Sequence, residues 1–226
     1  MAVISVDVWA VNLRPEAAAM ARLERLLSSG ECDRANRFRF EKDRVAYIAA
    51  HGGLRRILAF YRQCAPADIC FDQGENGKPA VAGVQFNLSH SADLAVVAVT
   101  RERELGVDVE RVDESRADKN VAERFFSPYE VSVLRSLPAE QQTEAFFNCW
   151  TRKEAYLKAI GLGLSVPLDS FDVSLAPGEP ARLLRGADVK WRLRSFAPAP
   201  GYIGALAIDA ADDDIEITFK SSETLV

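Results

Sequence analysis

Two carboxylates share one side of a predicted strand over 105–112, which reads Leu-Gly-Val-Asp-Val-Glu-Arg-Val. Side chains alternate along a strand, so Asp108 and Glu110 point to one face while Val107 and Val109 point to the other. Paired hard oxygen ligands on a rigid strand suit Mg²⁺, which binds few protein carboxylates and completes its shell with water and substrate phosphates. A half-exposed strand with two solvated acids is the alternative interpretation.

A third acid and a lysine fall on a helix predicted from about residue 140 to residue 160. Helical spacing places Glu154 and Lys158 on one stripe, one turn apart. Glu154 is a candidate to join Asp108 and Glu110 around a cation, and Lys158 is a candidate to neutralise a phosphate held by that cation. An ordinary exposed i,i+4 ion pair is the alternative.

Ser89 and His90 follow a predicted strand over 84–88, at the turn into a second one over 94–100. Strand ends present side chains and free backbone N–H groups to ligands, and His90 is a candidate hydrogen-bond partner for a phosphoryl oxygen. A serine hydrolase is not favoured, because adjacent residues of a strand point to opposite faces and the sequence lacks a Gly-x-Ser-x-Gly elbow.

Further basic residues are candidates for phosphate contacts. Arg44, His51 and Arg55 share one stripe of a helix predicted over 43–61, which is suited either to a terminal phosphate or to solvent. Lys78, in Gly-Lys-Pro, lies in a predicted turn over 74–79, where it would contact a pyrophosphate or serve as an ordinary turn lysine.

Composition limits the class of protein. With 226 residues and 48% apolar content, the chain can bury one sizeable core or two smaller ones. Its net charge of -5 argues against a general nucleic-acid binder. Residues 1–13 lack the pattern of a signal peptide or membrane helix, so we expect a cytoplasmic protein. The four cysteines lack metal-ligand spacing and are expected to be packing residues: Cys32, Cys64, Cys70 and Cys149.

The order of predicted elements repeats along the chain. Strand, helices and then strands occur twice. Helices are expected over about 15–28, after Cys32, over 117–126 and after Ser127-Pro128. Closing strands are expected over 171–175, 189–196 and 202–208, with a fourth candidate over 215–219. Ala46-Tyr47-Ile48 also resembles Ala155-Tyr156-Leu157. This pattern predicts an α+β protein with two similar lobes related by pseudo-two-fold symmetry, over 1–104 and 105–226, and a ligand site in the groove between them.

Five motifs resemble the surfactin-type 4'-phosphopantetheinyl transferases, and the last is similar to that family's W/KEA subgroup. They are Asn76-Gly77-Lys78-Pro79, Phe86-Asn87-Leu88-Ser89-His90-Ser91, Gly106-Val107-Asp108-Val109-Glu110, Phe125-Phe126-Ser127 and Trp150-x-x-Lys153-Glu154-Ala155-x-x-Lys158. The motifs occur in order over about residues 34–171. The resemblance implies a monomer that transfers phosphopantetheine from coenzyme A to a serine of an apo acyl or peptidyl carrier protein, releasing 3',5'-ADP.

The same resemblance implies roles for individual residues. Asp108, Glu110 and Glu154 would hold Mg²⁺; Lys158, His90 and Lys78 would contact phosphates; Ser89 would line the coenzyme site; Arg34 and Arg44 would contact the 3'-phosphate. Glu154 is the expected general base and Glu130 the alternative. A different Mg²⁺ enzyme acting on phosphoesters and a catalytically silent coenzyme A or carrier-protein binding module are the rival functions.

Overall fold

A computed structural model describes residues 3–73, 77–117, 119–211 and 213–225. The α-helices of this part are α1 (Ala17–Glu24), α2 (Ser29–Ala35), α3 (Glu41–Arg62), α4 (Lys119–Phe125), α5 (Pro128–Ser136) and α6 (Ala139–Ile160). Its strands are β1 (Val3–Asn12), β2 (Asp72–Gln73), β3 (Pro79–Ala80), β4 (Gln85–Ser91), β5 (Leu94–Thr100), β6 (Leu105–Arg111), β7 (Asp172–Val173), β8 (Leu183–Arg185), β9 (Trp191–Phe196), β10 (Tyr202–Asp209) and β11 (Asp214–Ser221).

Two small sheets form the centre of the molecule. One has the order β11-β1-β5-β4 and the other β6-β10-β9, and two-stranded pairs β2-β3 and β7-β8 lie outside them. The 22-residue helix α3 packs on the first sheet, and the 22-residue helix α6 packs on the second. The predicted α+β class is confirmed, with one long helix in each lobe.

The two sheets meet through an apolar core of their own. β-branched and aliphatic side chains of β1 and β5 pack here against those of β6 and β10. Val6 and Val96 of the first sheet, and Val107 and Leu206 of the second, are fully buried in it. This shared core fixes the position of β6 beside the first lobe.

The C-terminal strand returns to the first lobe. β11 pairs in parallel with β1, from Val3 with Asp214 to Ala10 with Ser221. The sequence suggests this segment as a further strand of the second lobe, but its pairing adds it to the first sheet. The division of the chain at residue 104 stays a prediction. The first sheet contains strands from both sides of that residue, because β11 pairs with β1.

Several predicted boundaries and one burial prediction are wrong. The second helix, α2, begins before Cys32 because Ser28 and Glu31 form a capping box at its N-terminus. The strand expected over 171–175 has only two residues. Cys64 and Cys70 are exposed and are not packing residues, whereas Cys149 is buried.

One predicted motif and the turn that contains it are only partly covered by the structure. Asn76, the first residue of the Asn-Gly-Lys-Pro motif, lies outside the described residues, as does much of the turn predicted over 74–79.

In the described ranges, every helix is too short or too polar to cross a membrane.

Candidate active site

Gly106 brings β6 into direct contact with α6. A Cβ atom at this position would lie 2.2 Å from the backbone nitrogen of Ala159 and 2.3 Å from the carbonyl oxygen of Ala155. Real Cβ atoms do not approach backbone so closely, so the glycine is required for this packing. The close approach places the acidic side chains of β6 beside Glu154 and Lys158 of α6.

Asp108 is the most enclosed acid of this site, with 4% of its surface exposed. Its Oδ1 accepts hydrogen bonds from Lys158 Nζ at 2.6 Å and from Ser89 Oγ at 2.8 Å. Its Oδ2 is buried without a hydrogen-bond partner in the described part of the chain. Burial raises the pKa of Asp108, and the charge of Lys158 opposes that rise.

Glu110 and Glu154 are partly buried near the same carboxylate. Glu110 Oε2 accepts a hydrogen bond from Ser91 Oγ at 2.6 Å and lies 3.6 Å from a guanidinium nitrogen of Arg116. Burial raises the pKa of Glu110, and the negative charge of Asp108 adds to the effect. The pKa of Glu154 is raised by burial, and further by Asp108 and Glu110. The three acids therefore repel one another.

These residues fit a hard divalent cation such as Mg²⁺. Carboxylate oxygens are its preferred protein ligands, and one buried oxygen of Asp108 has no hydrogen-bond partner within the ranges that the structure describes. Among the described residues, however, no three His, Cys, Asp or Glu side chains already surround a common point as a formed metal site. Lys158 occupies the other oxygen of Asp108. The predicted ligand set of Asp108, Glu110 and Glu154 stays a prediction.

Polar side chains of β4 bind the backbone of β6. The N–H groups of Val107, Val109 and Arg111 donate to side-chain oxygens at 2.9, 3.3 and 3.1 Å. Their acceptors are Asn87, Ser89 and Ser91. Sequence reasoning missed Asn87 and Ser91, although their spacing of two residues is that of one strand face.

Ser89 has a different environment from the one predicted. Its hydroxyl bonds to Asp108, to the N–H of Val109 and to Lys158 Nζ, the last at 2.9 Å. The residue is 5% exposed. Its observed contacts are with the acid cluster, and its direct contact with the coenzyme stays a prediction.

His90 points away from this cluster into an open cleft of about 710 Å³. It is exposed, because it alternates with the buried Ser89 and Ser91 along β4. Basic side chains share the cleft: Arg14, Lys42, Arg111 and Arg116. Acidic side chains also line it: Glu41, Asp43 and Asp113. Arg116 connects this cleft with Glu110.

The side chain of Lys78 reaches the first residue of β6 and lines another cleft, of about 240 Å³. Its Nζ donates to the carbonyl oxygen of Leu105 at 2.8 Å. Burial lowers the pKa of Lys78, and Glu104 opposes that shift. The structure therefore places Lys78 beside the strand that carries the acids, and its contact with a phosphate stays a prediction.

The early arginines are engaged with neighbouring side chains. Arg44 forms ion pairs with Glu24 and Glu41. Arg34 is exposed, with its guanidinium over the ring of Tyr47 at 5.6 Å from the centroid. Their proposed 3'-phosphate contacts are not tested by these interactions.

The predicted basic stripe on α3 is wrong for Arg55. This arginine is 3% exposed, and it bonds to Glu31 at 2.7 Å and to the carbonyl oxygens of Pro66 and Ile69. His51 stacks on a tyrosine ring and lies 3.4 Å from Glu31. Arg55 thus anchors the chain beyond α3 and is enclosed.

Glu130, the alternative general base, is a buried structural residue. Its carboxylate lies 2.8 Å from Lys153 Nζ and accepts the N–H groups of Ser127 and Val173. Both partners of the ion pair have 0% exposure. The prediction of Glu130 as a base is wrong, because this carboxylate is enclosed. The buried ion pair of Glu130 with Lys153, from the Lys-Glu-Ala motif, links α5 to α6.

Comparison with known proteins identifies the family. The 4'-phosphopantetheinyl transferase superfamily model matches residues 104–207, and the model "4'-phosphopantetheinyl transferase, N-terminal" matches residues 11–102. The chain belongs to the 4'-phosphopantetheinyl transferase superfamily. The family predicted from the motifs is confirmed.

Two relatives match along most of their length. The 4'-phosphopantetheinyl transferase HetI of Nostoc sp. is 39% identical over 90% of this chain and 87% of its own. The 4'-phosphopantetheinyl transferase Sfp of Bacillus subtilis is 29% identical over 91% of this chain and 92% of its own. A holo-(acyl-carrier-protein) synthase from Bacillus anthracis, solved in complex with CoA (3',5'-ADP), is 22% identical and covers 46% of this chain and 93% of its own with a TM-score of 0.39.

Proposed function

We propose that this protein transfers the 4'-phosphopantetheine group of coenzyme A to a serine of an apo acyl or peptidyl carrier protein and releases 3',5'-ADP. The observation that carries the proposal is the buried Oδ2 of Asp108, which has no hydrogen-bond partner among the described residues and lies beside two further acids and Lys158. A buried anionic oxygen without a partner is costly unless a cation binds it. Membership of the superfamily supports the reaction.

The acid cluster is the proposed binding site for Mg²⁺. Asp108, Glu110 and Glu154 would hold the ion, since they are hard ligands whose mutual repulsion a cation relieves. When bound, Mg²⁺ supplies positive charge against the pyrophosphate of coenzyme A.

Proton transfer is assigned to Glu154. The serine oxygen of the carrier forms a bond to the β-phosphorus, the bond from that phosphorus to the oxygen of 3',5'-ADP breaks, and the serine proton passes to the Glu154 carboxylate. Glu154 is assigned this role because its carboxylate lies in the acid cluster, one helical turn from Lys158. Lys158, one helical turn away, neutralises charge on the phosphates.

The remaining predicted residues are assigned to the coenzyme. His90 and Lys78 would contact its phosphates, Ser89 would line its site, and Arg34 and Arg44 would contact the 3'-phosphate. The basic side chains of the cleft around His90 support this assignment, because their positive charge would offset the negative charge of coenzyme A.

The proposed form of the enzyme is a cytoplasmic monomer. The three acids lie on β6 and α6 and the serines that bind two of them lie on β4 of the same chain, so a second copy is not needed to complete the cluster. Coenzyme A and its carrier proteins are the expected partners.

Mass spectrometry of the carrier tests the function. Incubation with coenzyme A, Mg²⁺ and an apo carrier protein is expected to add the mass of one phosphopantetheine. A carrier whose acceptor serine is replaced by alanine is the control and is expected to keep its mass. Unchanged masses across several carriers, with coenzyme A still bound in calorimetry, would favour a catalytically silent binding module.

A further inference from the structure

Two serines of β4 hold two carboxylates of β6 in the same way. Each hydroxyl donates to a carboxylate oxygen and accepts the backbone N–H of the residue that follows the acid. Ser89 does so with Asp108 at 2.8 Å and Val109 at 3.3 Å, and Ser91 with Glu110 at 2.6 Å and Arg111 at 3.1 Å.

This arrangement fixes the direction of each hydroxyl proton. A serine hydroxyl has one proton to donate, and a backbone N–H that points at its oxygen leaves that proton directed elsewhere. Ser91 is 6% exposed, so little water competes for it. The proton is therefore directed at Glu110, and the carboxylate is held relative to the β6 backbone.

Without Ser91, Glu110 has a competing partner. The exposed guanidinium of Arg116 lies 3.6 Å from the same oxygen, Oε2, that accepts the serine proton. Arginine binds carboxylates strongly and with two-point geometry. Loss of the hydroxyl would free the Glu110 side chain to turn toward Arg116 and away from Asp108.

We propose that Ser91 is a positioning residue that orients Glu110 toward the cation site. The inference rests on the proposed role of Glu110 as a metal ligand. Ser89 acts on Asp108 in the same manner, but its hydroxyl also bonds to Lys158. Ser91 is therefore the clearer residue to test, because its replacement leaves the lysine contact in place.

Metal binding without substrate provides the test. Mn²⁺ serves as the probe, and its dissociation constant is measured by electron paramagnetic resonance in the absence of coenzyme A and carrier. Ser91→Ala is expected to weaken Mn²⁺ binding by about tenfold, the lower end of the effect of removing a group that orients a metal ligand. Ser91→Thr, which keeps a hydroxyl, is expected to stay within about threefold of wild type.

Ser174→Ala is the matched control. Ser174 is 3% exposed, and its hydroxyl also accepts a backbone N–H, from Arg182, while it donates to the carbonyl oxygen of Pro180 rather than to a carboxylate. Its replacement is expected to lower thermal stability without changing Mn²⁺ affinity. Wild-type affinity in Ser91→Ala, or equal weakening in Ser174→Ala, overturns the inference.

A double-mutant comparison separates positioning from general damage. In a Glu110→Gln background, Ser91→Ala is expected to change Mn²⁺ affinity by less than about twofold, since the acid that it orients is already neutral. A further tenfold loss in that background contradicts the inference. If Ser91→Ala does not fold, Ser91→Cys replaces it under the same outcomes, because a thiol is a weak donor of similar shape.

The same series distinguishes this inference from the proposed function. A wild-type protein that binds Mn²⁺ with the expected Ser91 dependence, but modifies no carrier, contradicts the transferase reaction and supports the positioning role. A wild-type protein that does not bind Mn²⁺ contradicts both.

Discussion

The ammonium of Lys158 lies 2.6 Å from Oδ1 of Asp108, while the other oxygen of that carboxylate is buried without a partner in the described part of the chain. Lys158 therefore neutralises a carboxylate that also lies near the negative charges of Glu110 and Glu154. Such a cluster reduces the stability of the cation-free protein, as is common for sites selected for function.

Asp108→Asn is expected to abolish most transfer activity and to leave the protein folded. The amide can still accept hydrogen bonds from Ser89 and Lys158, but it removes the negative charge from the proposed cation site. We expect a loss of roughly 100-fold or more, as for other preorganised electrostatic groups. Carrier mass and circular dichroism measure the two effects.

Asp188→Asn, on an exposed residue, is the control and is expected to keep full activity. Asp108 is largely buried, which the alternation of the sequence does not reveal. Asparagine is therefore a better test than alanine, which would leave a cavity. Activity of Asp108→Asn within a few-fold of wild type would remove this residue from the site.

Glu154→Gln is expected to stabilise the cation-free protein at neutral pH. The pKa of Glu154 is raised above its usual 4.5 by burial first and by Asp108 next, so the folded state keeps its proton at a pH where the unfolded chain has lost it. Stability then falls as pH rises from about 4.5 through the folded-state pKa. Glutamine does not titrate, so the variant loses the contribution of Glu154 to this decrease in stability.

Urea unfolding between pH 4 and pH 8, without divalent ions, measures the effect as a free energy of unfolding. Exposed Glu114→Gln is the control and should leave the pH profile unchanged. The same Glu154 variant should lose most activity, since it cannot accept the serine proton. A profile for Glu154→Gln that is identical to wild type would contradict the proposed repulsion.

Gly106→Ala is expected to destabilise the protein and to separate β6 from α6. The added methyl would overlap the backbone of Ala155 and Ala159, at a cost of about 1–3 kcal/mol or more. Gly30→Ala is the control, because, apart from its chain neighbours and the backbone of its own helix, no described residue has an atom within 4 Å of its Cβ position. Thermal unfolding and Mn²⁺ binding measure both consequences. Wild-type values for Gly106→Ala would show that this approach is not required.

Lys153→Met and Lys158→Met should fail in different ways. Lys153 pairs with Glu130 in a fully buried position, so its loss leaves an uncompensated charge and should cost about 3–5 kcal/mol. Lys158 is partly exposed, so its loss should reduce activity while the protein stays folded. Denaturant unfolding and carrier mass separate the two. A stable but inactive Lys153→Met would assign that lysine to the chemistry.

Much of the site was predictable from local pattern. Alternation put Asp108 and Glu110 on one face of β6, and helical spacing put Glu154 and Lys158 one turn apart. Both periodicities are properties of the backbone, so they can be read without the fold. The long helices and the strands next to these residues were predictable for the same reason.

The roles of other polar residues depended on long-range packing. Lys153 and Glu154 are neighbours in sequence, yet one is sealed in the core with Glu130 and the other lies beside Asp108. Local pattern did not separate these roles, and Glu130 was named as an alternative base only in the mechanism that the family resemblance implies. Burial depends on which element packs on each face of α6, and the sequence of that helix does not state it.

The sequence by itself determined the family, the α+β class and the acids on two regular elements. The tertiary structure decided that β11 joins β1, that the serines of β4 bind the acids of β6, and that Arg55 is enclosed. Periodicity is set within a few residues of one segment, whereas the contacts between these serines and acids join residues 19 positions apart. The contacts between β4 and β6 form only when the two sheets pack together.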